Sequence, residues 1–403
     1  MRPETDRRIL SRMKIKKIRI EQEVKQMGGN LKMDHIILVK YEDKYEKAWD
    51  RFVLRESING TFLQTRNFLN YHPVGRFEDN SLLFLKGSNI IAVIPAHVET
   101  EGDSRHLISH KGSTFGGIVL GGKYKKIKDM QIIFKELDKY LKENNFTKIT
   151  LKLTSSLFSV EESELIEYFL FLNDYVSSCE IGYCIDFCEY KEDIPMNFTS
   201  SKRRDYKYSL RNPLEFKVLE KDEEIACFYQ VLENNMKKFG TVPVHTLDEI
   251  KELKNDRLNE NIRFYGVYFE NRLIAGGMIF YFGKKVFHTQ YLATDQDMLY
   301  LFPNEFLYEN LIETARNEGF EKLSFGTSTL EHGRVLNQSL AQFKEGFGTR
   351  EYVNRTFTKK WCAEDKMENI EKLPGGGINK LYICKPSAGS HWLDDSVCGR
   401  KAA

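Results

Sequence analysis

The sequence predicts an α/β (mixed α+β) protein made of two tandem copies of one unit. Three observations carry the prediction. Strand-like alternation is interleaved with stripes of helical period, and turn residues punctuate both at short intervals. The order strand, helix, hairpin, strand, helix, strand also occurs twice, which is the mark of an internal duplication.

From Asp34, HIILVKY reads as a strand and YEKAWDRFVLRE as a helix. LLFLKGSNIIAVIPAHV is a hairpin that turns at Gly87-Ser88-Asn89. Ile127, Met130, Phe134, Leu137 and Leu141 fall on one helix face, Asn144-Asn145 ends that helix, and FTKITLKL alternates as a strand. The second copy begins with FYGVYFENRLIAGGMIFYF, a hairpin around Glu270-Asn271-Arg272. PNEFLYENLIETARNEGF is its helix, with Pro303 in the first turn and Gly319 just past the end, and FEKLSFG is the next strand. Aligning Ile91-Ala92 with Ile274-Ala275 gives an offset of 183, whereas Phe146 with Phe320 gives 174. The first copy therefore carries nine extra residues, placed within ETEGDSRHLISHKGSTFGG. The expected organisation is a basic extension (1–33), a first unit (34–195), a second unit holding the active site (196–362) and an irregular tail (363–403).

Composition narrows the function classes. The 403 residues are 41% hydrophobic and 29% charged with a net charge of +2, so any nucleic-acid or anion binding must rest on local clusters. No run approaches the roughly 18 apolar residues of a membrane span, and the N-terminus lacks the apolar core of a secretory signal. Residues 1–33 hold ten Lys/Arg against four Asp/Glu; this is either a solvated arm or a peripheral contact with anionic membrane or RNA. Of seven cysteines, Cys179, Cys184 and Cys188 share a strand-like run at spacings that suit buried thiols better than a zinc site or a disulfide. A cytoplasmic location is expected, at the inner face of the membrane if the basic arm binds there.

Four segments carry candidate chemistry. SSKRRDYKYSLRN (200–212) crowds five basic residues and one acid between Lys202 and Arg211 on a predicted helix. Arginine forks bind phosphate and tyrosines stack, so this helix is read as an anion-binding element, the alternative being a solvated basic face. In 234–253, Thr246 and Glu249 form a capping box directly after His245, a loop residue that faces either substrate or the protein's own interior. In 286–307 a strand carrying His288 and Tyr291 leads through Asp295-Gln296-Asp297 to the Pro303 helix. The fourth is FGTSTLEHGRVLNQSLAQFKEGFGTREYVNR (325–355), with Lys344 between Phe343 and a glycine turn. One reading is a helix that packs Leu336, Leu340 and Phe343 and leaves Lys344 in solvent. The rival aims Lys344 at a developing oxyanion. Neither a Ser/His/Asp order nor HExxH nor CxxC is present, so no covalent or metal mechanism is indicated.

The order of these parts resembles the FemAB-like aminoacyl/acyl transferases, which are built from two tandem GNAT-like acyltransferase domains. The resemblance spans about residues 34–361 and rests on the basic junction, the Pro303 helix and the FGTST…N…FKEGFG…RTF run, of which FKEGFG is the most specific. Known members move an amino acid from aminoacyl-tRNA to an amine of a cell-wall precursor; others, linked to polysaccharide synthesis, are GNAT-type acyltransferases. The resemblance implies that Lys344 stabilises the reacting acyl group, and that Arg203, Arg204, Tyr208 and Arg211 meet phosphates of donor or precursor. Lys202, His288, Tyr291, Asn337 and Phe343 complete the expected substrate contacts. GNAT-fold acyl-CoA enzymes carry a glycine-rich loop before the helix that here starts at Pro303, whereas this chain has two aspartates and no glycine there. The weakly similar GSTFGGIVLGG (112–122) is strand-like. KELKNDRLNENIRF is also too short for the long helical insertion of some members. The implied reaction is N-acyl or aminoacyl transfer to an amine on a phosphate-bearing sugar or peptidoglycan precursor. No tightly bound cofactor is expected, and the donor is aminoacyl-tRNA or acyl-CoA. The alternatives are an acyl-CoA-dependent N-acetyltransferase of an amino sugar and an inactive GNAT-like binding protein.

Overall fold

The computed structural model describes residues 35–361 except Phe239. The basic extension 1–33 and the tail 363–403 lie outside the described residues. The predicted elements are present: the strand Ile36–Lys40, the helix Glu46–Arg55, the hairpin Leu82–Lys86/Asn89–Ile94, the helix Ile127–Glu143 and the strand Lys148–Lys152. The second half repeats them as Leu214–Val218, Asp222–Lys237, Ile262–Phe269/Arg272–Phe282, Pro303–Asn317 and Lys322–Thr327. The apolar stripe of Ile127–Glu143 buries Met130, Ile133, Phe134, Leu137 and Leu141, while Ile127 itself is exposed. Asn145 takes a left-handed φ of 55° where the second half has Gly319 at 76°, so both helices end through the same device.

Most strands join one eleven-stranded sheet, and its centre shows how the copies combine. The offset of 174 carries Val176–Asp186 onto Arg350–Lys360, and these two strands lie side by side, antiparallel, with Glu180 opposite Asn354. On its other edge each of the two pairs with the other half. Lys148–Lys152 runs against Arg350–Lys360, and Lys322–Thr327 runs against Val176–Asp186. The registers match: Lys148 faces Lys360 as Lys322 faces Asp186. The halves thus exchange their last strands about a local two-fold through Glu180 and Asn354. They share one continuous core sheet, which sequence periodicity alone does not reveal.

The nine extra residues of the first copy fall in two places. In the second half the strand Val286–Thr294 is continuous, but in the first it is split into Ser104–Ser109 and Val119–Leu120. The sheet partners equate Ser109 with Thr289 and Val119 with Ala293. Six residues are therefore inserted between Ser109 and Val119, and three more lengthen the preceding hairpin, whose arms are longer although its turn is shorter.

Candidate active site

In each half, two parallel strands start together and then part. Val286, Phe287 and His288 pair with Lys322, Leu323 and Ser324 before the strands diverge, as His106, Leu107 and Ile108 do with Lys148, Ile149 and Thr150. Diverging strands free backbone groups and open a V, so what fills each V decides what the half can do.

The first V is filled by the protein itself. Ser109 Oγ accepts hydrogen bonds from the Gly117 and Lys152 amides, each at 2.9 Å, and the Gly116 amide donates to the Lys152 carbonyl at 2.9 Å. Gln64 Nε2 donates to the Gly116 carbonyl at 3.0 Å and to Thr154 Oγ1 at 2.8 Å. The inserted segment is the plug.

The second V holds a cleft of about 280 Å³, lined by His288, Gln290, Gly326, Thr327, Tyr352 and Asn354 among others. Thr114, Phe115, Lys152 and Phe158 from the first half close its other wall, so the tip of the plug walls the neighbouring cleft. A buried hydrogen-bond chain runs along it: His288 Nδ1 to Ser324 Oγ at 3.0 Å, and Ser324 Oγ to the Tyr352 hydroxyl at 3.0 Å. Burial pulls His288 down to about 4 and pushes the Tyr352 phenol up, so both are neutral near pH 7. His288 packs edge-on against Phe158, with ring centroids 5.5 Å apart. The ladder between Lys322–Thr327 and Val176–Asp186 shifts register between Ser324 and Thr327. Gly326 sits there with φ at 72°.

Lys344 takes up the carbonyls at this break. It lies in the helix Gln338–Glu345, is 3% exposed, and donates to the Gly326 carbonyl at 3.0 Å and the Thr327 carbonyl at 2.6 Å. Burial lowers its ammonium to about 7. Neither of the two sequence readings matches this geometry. The helix is shorter than expected, Leu336 and Leu340 are exposed, and Lys344 is neither solvated nor itself on the cleft surface. It stands one backbone layer behind the Gly326–Thr327 edge.

The remaining expected contacts are scattered. His288 alone among them lines the cleft. Tyr291 turns instead to His245, with its hydroxyl 2.8 Å from Nδ1, and burial pushes its phenol up to about 12. Asn337 caps the Lys344 helix by accepting from the Leu340 amide at 3.1 Å. Phe343 joins the Tyr308 and Phe347 rings, with the Lys202 ammonium 3.9 Å above it. Lys202 is ion-paired with the buried Glu305. Arg203 donates to the Pro195 and Phe198 carbonyls, each at 3.0 Å. Both residues are thus engaged in holding the junction helix Ser200–Ser209 in place. Arg204 pairs with its neighbour Asp205 at the surface, and Arg211 lies 4.7 Å over the exposed Tyr208. Of the basic cluster, then, Arg204, Lys207 and Arg211 present their charge outward. Before the Pro303 helix, Asp295 pairs with Arg272 and its Oδ1 accepts from the Asp297 amide, so acids and a 3₁₀ turn occupy the place of a pyrophosphate cradle. Of the run 179–188, Cys184 is buried, while Cys179 and Cys188 are exposed, which corrects the buried-thiol reading for those two. No cluster of metal-ligand residues occurs among the described residues. No helix there is long and apolar enough to cross a membrane.

Sequence reasoning missed Ser324, Tyr352 and Asn354. The offset of 174, carried past the insertion, makes them visible: it sets Lys344 against Leu170 and Asn354 against Glu180, while the extra residue at the Gly326 register shift sets Thr327 against Lys152. Leu170 is fully buried, so the fold accepts a plain apolar residue where the second half keeps a lysine.

The comparisons agree with this architecture. The family model for the acetyltransferase (GNAT) domain matches residues 198–334. The solved structure of FemX superposes with a TM-score of 0.58 at 10% identity, over 79% of this chain and 96% of that one. The C-terminal domain of a protein described as a lysylphosphatidylglycerol synthetase, from Agrobacterium fabrum, gives 0.52 at 11% identity, over 78% and 91%. No curated protein matches. At such identities the likeness speaks for fold, and the chain has the FemAB-like, tandem GNAT-type acyltransferase fold.

Proposed function

We propose that the chain is an N-acyl or aminoacyl transferase that moves an activated acyl group to an amine on a cell-wall or surface-polysaccharide precursor. The observation that carries this reading is the asymmetry of the two V-shaped openings. One is plugged, and the other is an open cleft with a buried lysine behind its edge. In the proposed step the amine nitrogen bonds to the acyl carbon, the bond from that carbon to the leaving oxygen or sulfur breaks, and the amine's proton ends on the leaving atom. Lys344, bonded to the Gly326 and Thr327 carbonyls, supplies positive charge from behind the cleft edge, which stabilises the developing oxyanion through its field rather than by direct contact. Holding both reactants in the cleft supplies the rest through orientation. The fold of FemX supports a cell-wall or surface target, and the outward-facing Arg204 and Arg211 suit a phosphate-bearing one.

Aminoacyl-tRNA is the favoured donor, because Asp295 and Asp297 occupy the place where an acyl-CoA enzyme cradles pyrophosphate. The acetyltransferase family model favours the second reading, acetyl-CoA as donor and an amino sugar as acceptor. Incubation with labelled acetyl-CoA and, separately, with charged tRNA decides between them: transfer from acetyl-CoA alone rejects the first reading.

A further inference from the structure

The two-fold of the sheet sets one polar pair of the first half against a broken pair in the second. In the first half Lys152 reaches across the neighbouring strand to Glu180, with Nζ 2.9 Å from Oε2. By the registers of the two ladders their counterparts are Thr327 and Asn354, both in the wall of the open cleft. The exchange of lysine for threonine removes the ammonium and most of the side chain. Beside it, a Cβ on Gly326 would meet nothing closer than His288 Cε1 at 3.8 Å, so the cleft is open there. Asn354 is 4% exposed, and its Oδ1 has no hydrogen-bond partner among the described residues. A buried acceptor left unpaired costs about 1–3 kcal/mol, a cost that a bound ligand recovers by supplying the donor.

We infer that Asn354 positions the acceptor amine, which takes the place of the missing lysine ammonium and is held as the free base. This rests on the transferase reading and names the nucleophile's contact within it. The first half shows what the position suits, an amine-sized donor at hydrogen-bond distance from the side chain of residue 180. In the second half the carboxylate is replaced by a carboxamide, so the full charge that favours an ammonium is gone. The other groups around the cleft point the same way. Lys152 is neutralised by Glu180, His288 and Tyr352 are neutral, and the Cys184 thiol behind Tyr352 is pushed up by burial. Lys344 has carbonyls and no carboxylate among its hydrogen-bond partners. The net field is positive, so an amine entering the cleft loses its proton more readily than in water. Asn354 Oδ1 then accepts one N–H and leaves the lone pair for the acyl carbon. The absence of a carboxylate base in this wall follows: the proton is shed on binding.

Two measurements test this, the first without turnover. Glycinamide, whose amine titrates near about 8, is titrated into the full chain by saturation-transfer NMR between pH 6 and 9, with acetamide as the amine-free control. Wild type is expected to bind glycinamide about tenfold more tightly per pH unit up to about 8, and acetamide without a slope. Asn354→Asp is expected to abolish or reverse that slope. A slope shared by acetamide, or one unchanged in Asn354→Asp, overturns the proposal. In the second measurement, Asn354→Leu raises the KM for the acceptor amine about tenfold, the loss of one buried hydrogen bond with its partner left unmet, while the donor KM stays put. A rise confined to the KM of an aminoacyl donor overturns the proposal, since Asn354 then reads the donor's amine. The variant is expected to melt at or above the wild-type temperature, because it removes an unpaired oxygen from the interior; a large drop assigns Asn354 to the fold and overturns the proposal as well. A wild type that transfers from neither donor sinks the transferase reading, while the glycinamide slope is still decided on its own.

Discussion

The first and second halves of this chain share topology and registers, yet one V is sealed and the other is a cleft. The difference comes from a short insertion and a few substitutions at matched positions. Six residues between Ser109 and Val119 break a strand that stays whole as Val286–Thr294, and the released segment hydrogen-bonds into its own V. In the open half, Leu170 becomes Lys344, Lys152 becomes Thr327 beside the extra Gly326, and Glu180 becomes Asn354. The lesson concerns economy of change: a duplicated unit divides into scaffold and site without altering the sheet. The plug also serves the other half, because Thr114 and Phe115 wall the cleft.

The sharpest way to break the comparison is to give the open half the residue of the sealed one. Lys344→Leu is expected to lower the transfer rate by about 10- to 100-fold, because it removes the positive charge behind the cleft edge. The fold should survive, since Leu170 fills the matching site fully buried. Single-turnover rates beside a thermal melt check both halves of that statement. A Lys344→Leu protein that transfers at the wild-type rate removes Lys344 from the mechanism and favours a binding-only role for the chain.

Next in size is a pair of glycine changes. Gly117 and Gly326 have similar left-handed angles, φ 65° and 72°, but different surroundings. A Cβ at Gly117 would lie 2.7 Å from Leu153 Cδ2, whereas the site at Gly326 is open to 3.8 Å. Alanine at either position costs about 1–2 kcal/mol of backbone strain, and at Gly117 the clash adds to it. Denaturant midpoints should therefore fall further for Gly117→Ala, while activity per folded molecule falls further for Gly326→Ala, which projects into the cleft.

Much of this design was legible in the chain. Pro303 and Gly319 bracket their helix as expected, and the repeat, with its nine extra residues, located the segment that became the plug. FKEGFG led to the lysine. What the sequence could not supply was the strand exchange, because periodicity says which face a strand buries and nothing about which copy it pairs with. Without that pairing, nothing shows that Lys152 reaches across to Glu180, or that Asn354 lacks such a partner. The basic junction misled for a related reason. Five cations in ten residues suggest an anion site, but burying Lys202 against Glu305 and satisfying two carbonyls with Arg203 use two of them inside the fold.

The halves should also differ in their response to acid and base. In the first half His72, His97 and His110 cluster around Phe77, and burial lowers His72 to about 4 and His110 to about 3, with His97 also lowered. The unfolded chain, titrating near 6.5, binds more protons than the folded one between those values, so stability falls as pH drops from about 6.5 toward 4. In the second half Lys344 is lowered from 10.5 to about 7. The cost of burying its charge is fully present below pH 7, and the contribution improves as pH rises toward 10.5. Melting temperatures across pH should show both limbs. His72→Phe with His110→Phe is expected to make only the acid limb shallower, since the lowered His97, His106, His245 and His288 still contribute to it, and Lys344→Leu to flatten only the alkaline one.

The smallest expected effect separates the arginines at the junction. Arg203 and Arg204 are neighbours with opposite duties. Removing Arg203 takes the donor from the Phe198 carbonyl and leaves the Pro195 carbonyl only the Phe198 amide, which should cost about 1–3 kcal/mol in a denaturant titration. Removing Arg204, whose partner Asp205 is a surface neighbour, should change stability by no more than about 0.5 kcal/mol. Its effect belongs in substrate binding instead. If the exposed guanidinium meets a phosphate of donor or acceptor, Arg204→Ala raises that substrate's KM several-fold at low salt, and the difference shrinks as salt screens the contact. Equal KM values at low salt confine the anion role to Lys207 and Arg211 or remove it from the junction altogether. An Arg203→Ala protein that keeps wild-type stability would mean the helix is not held by those two carbonyls.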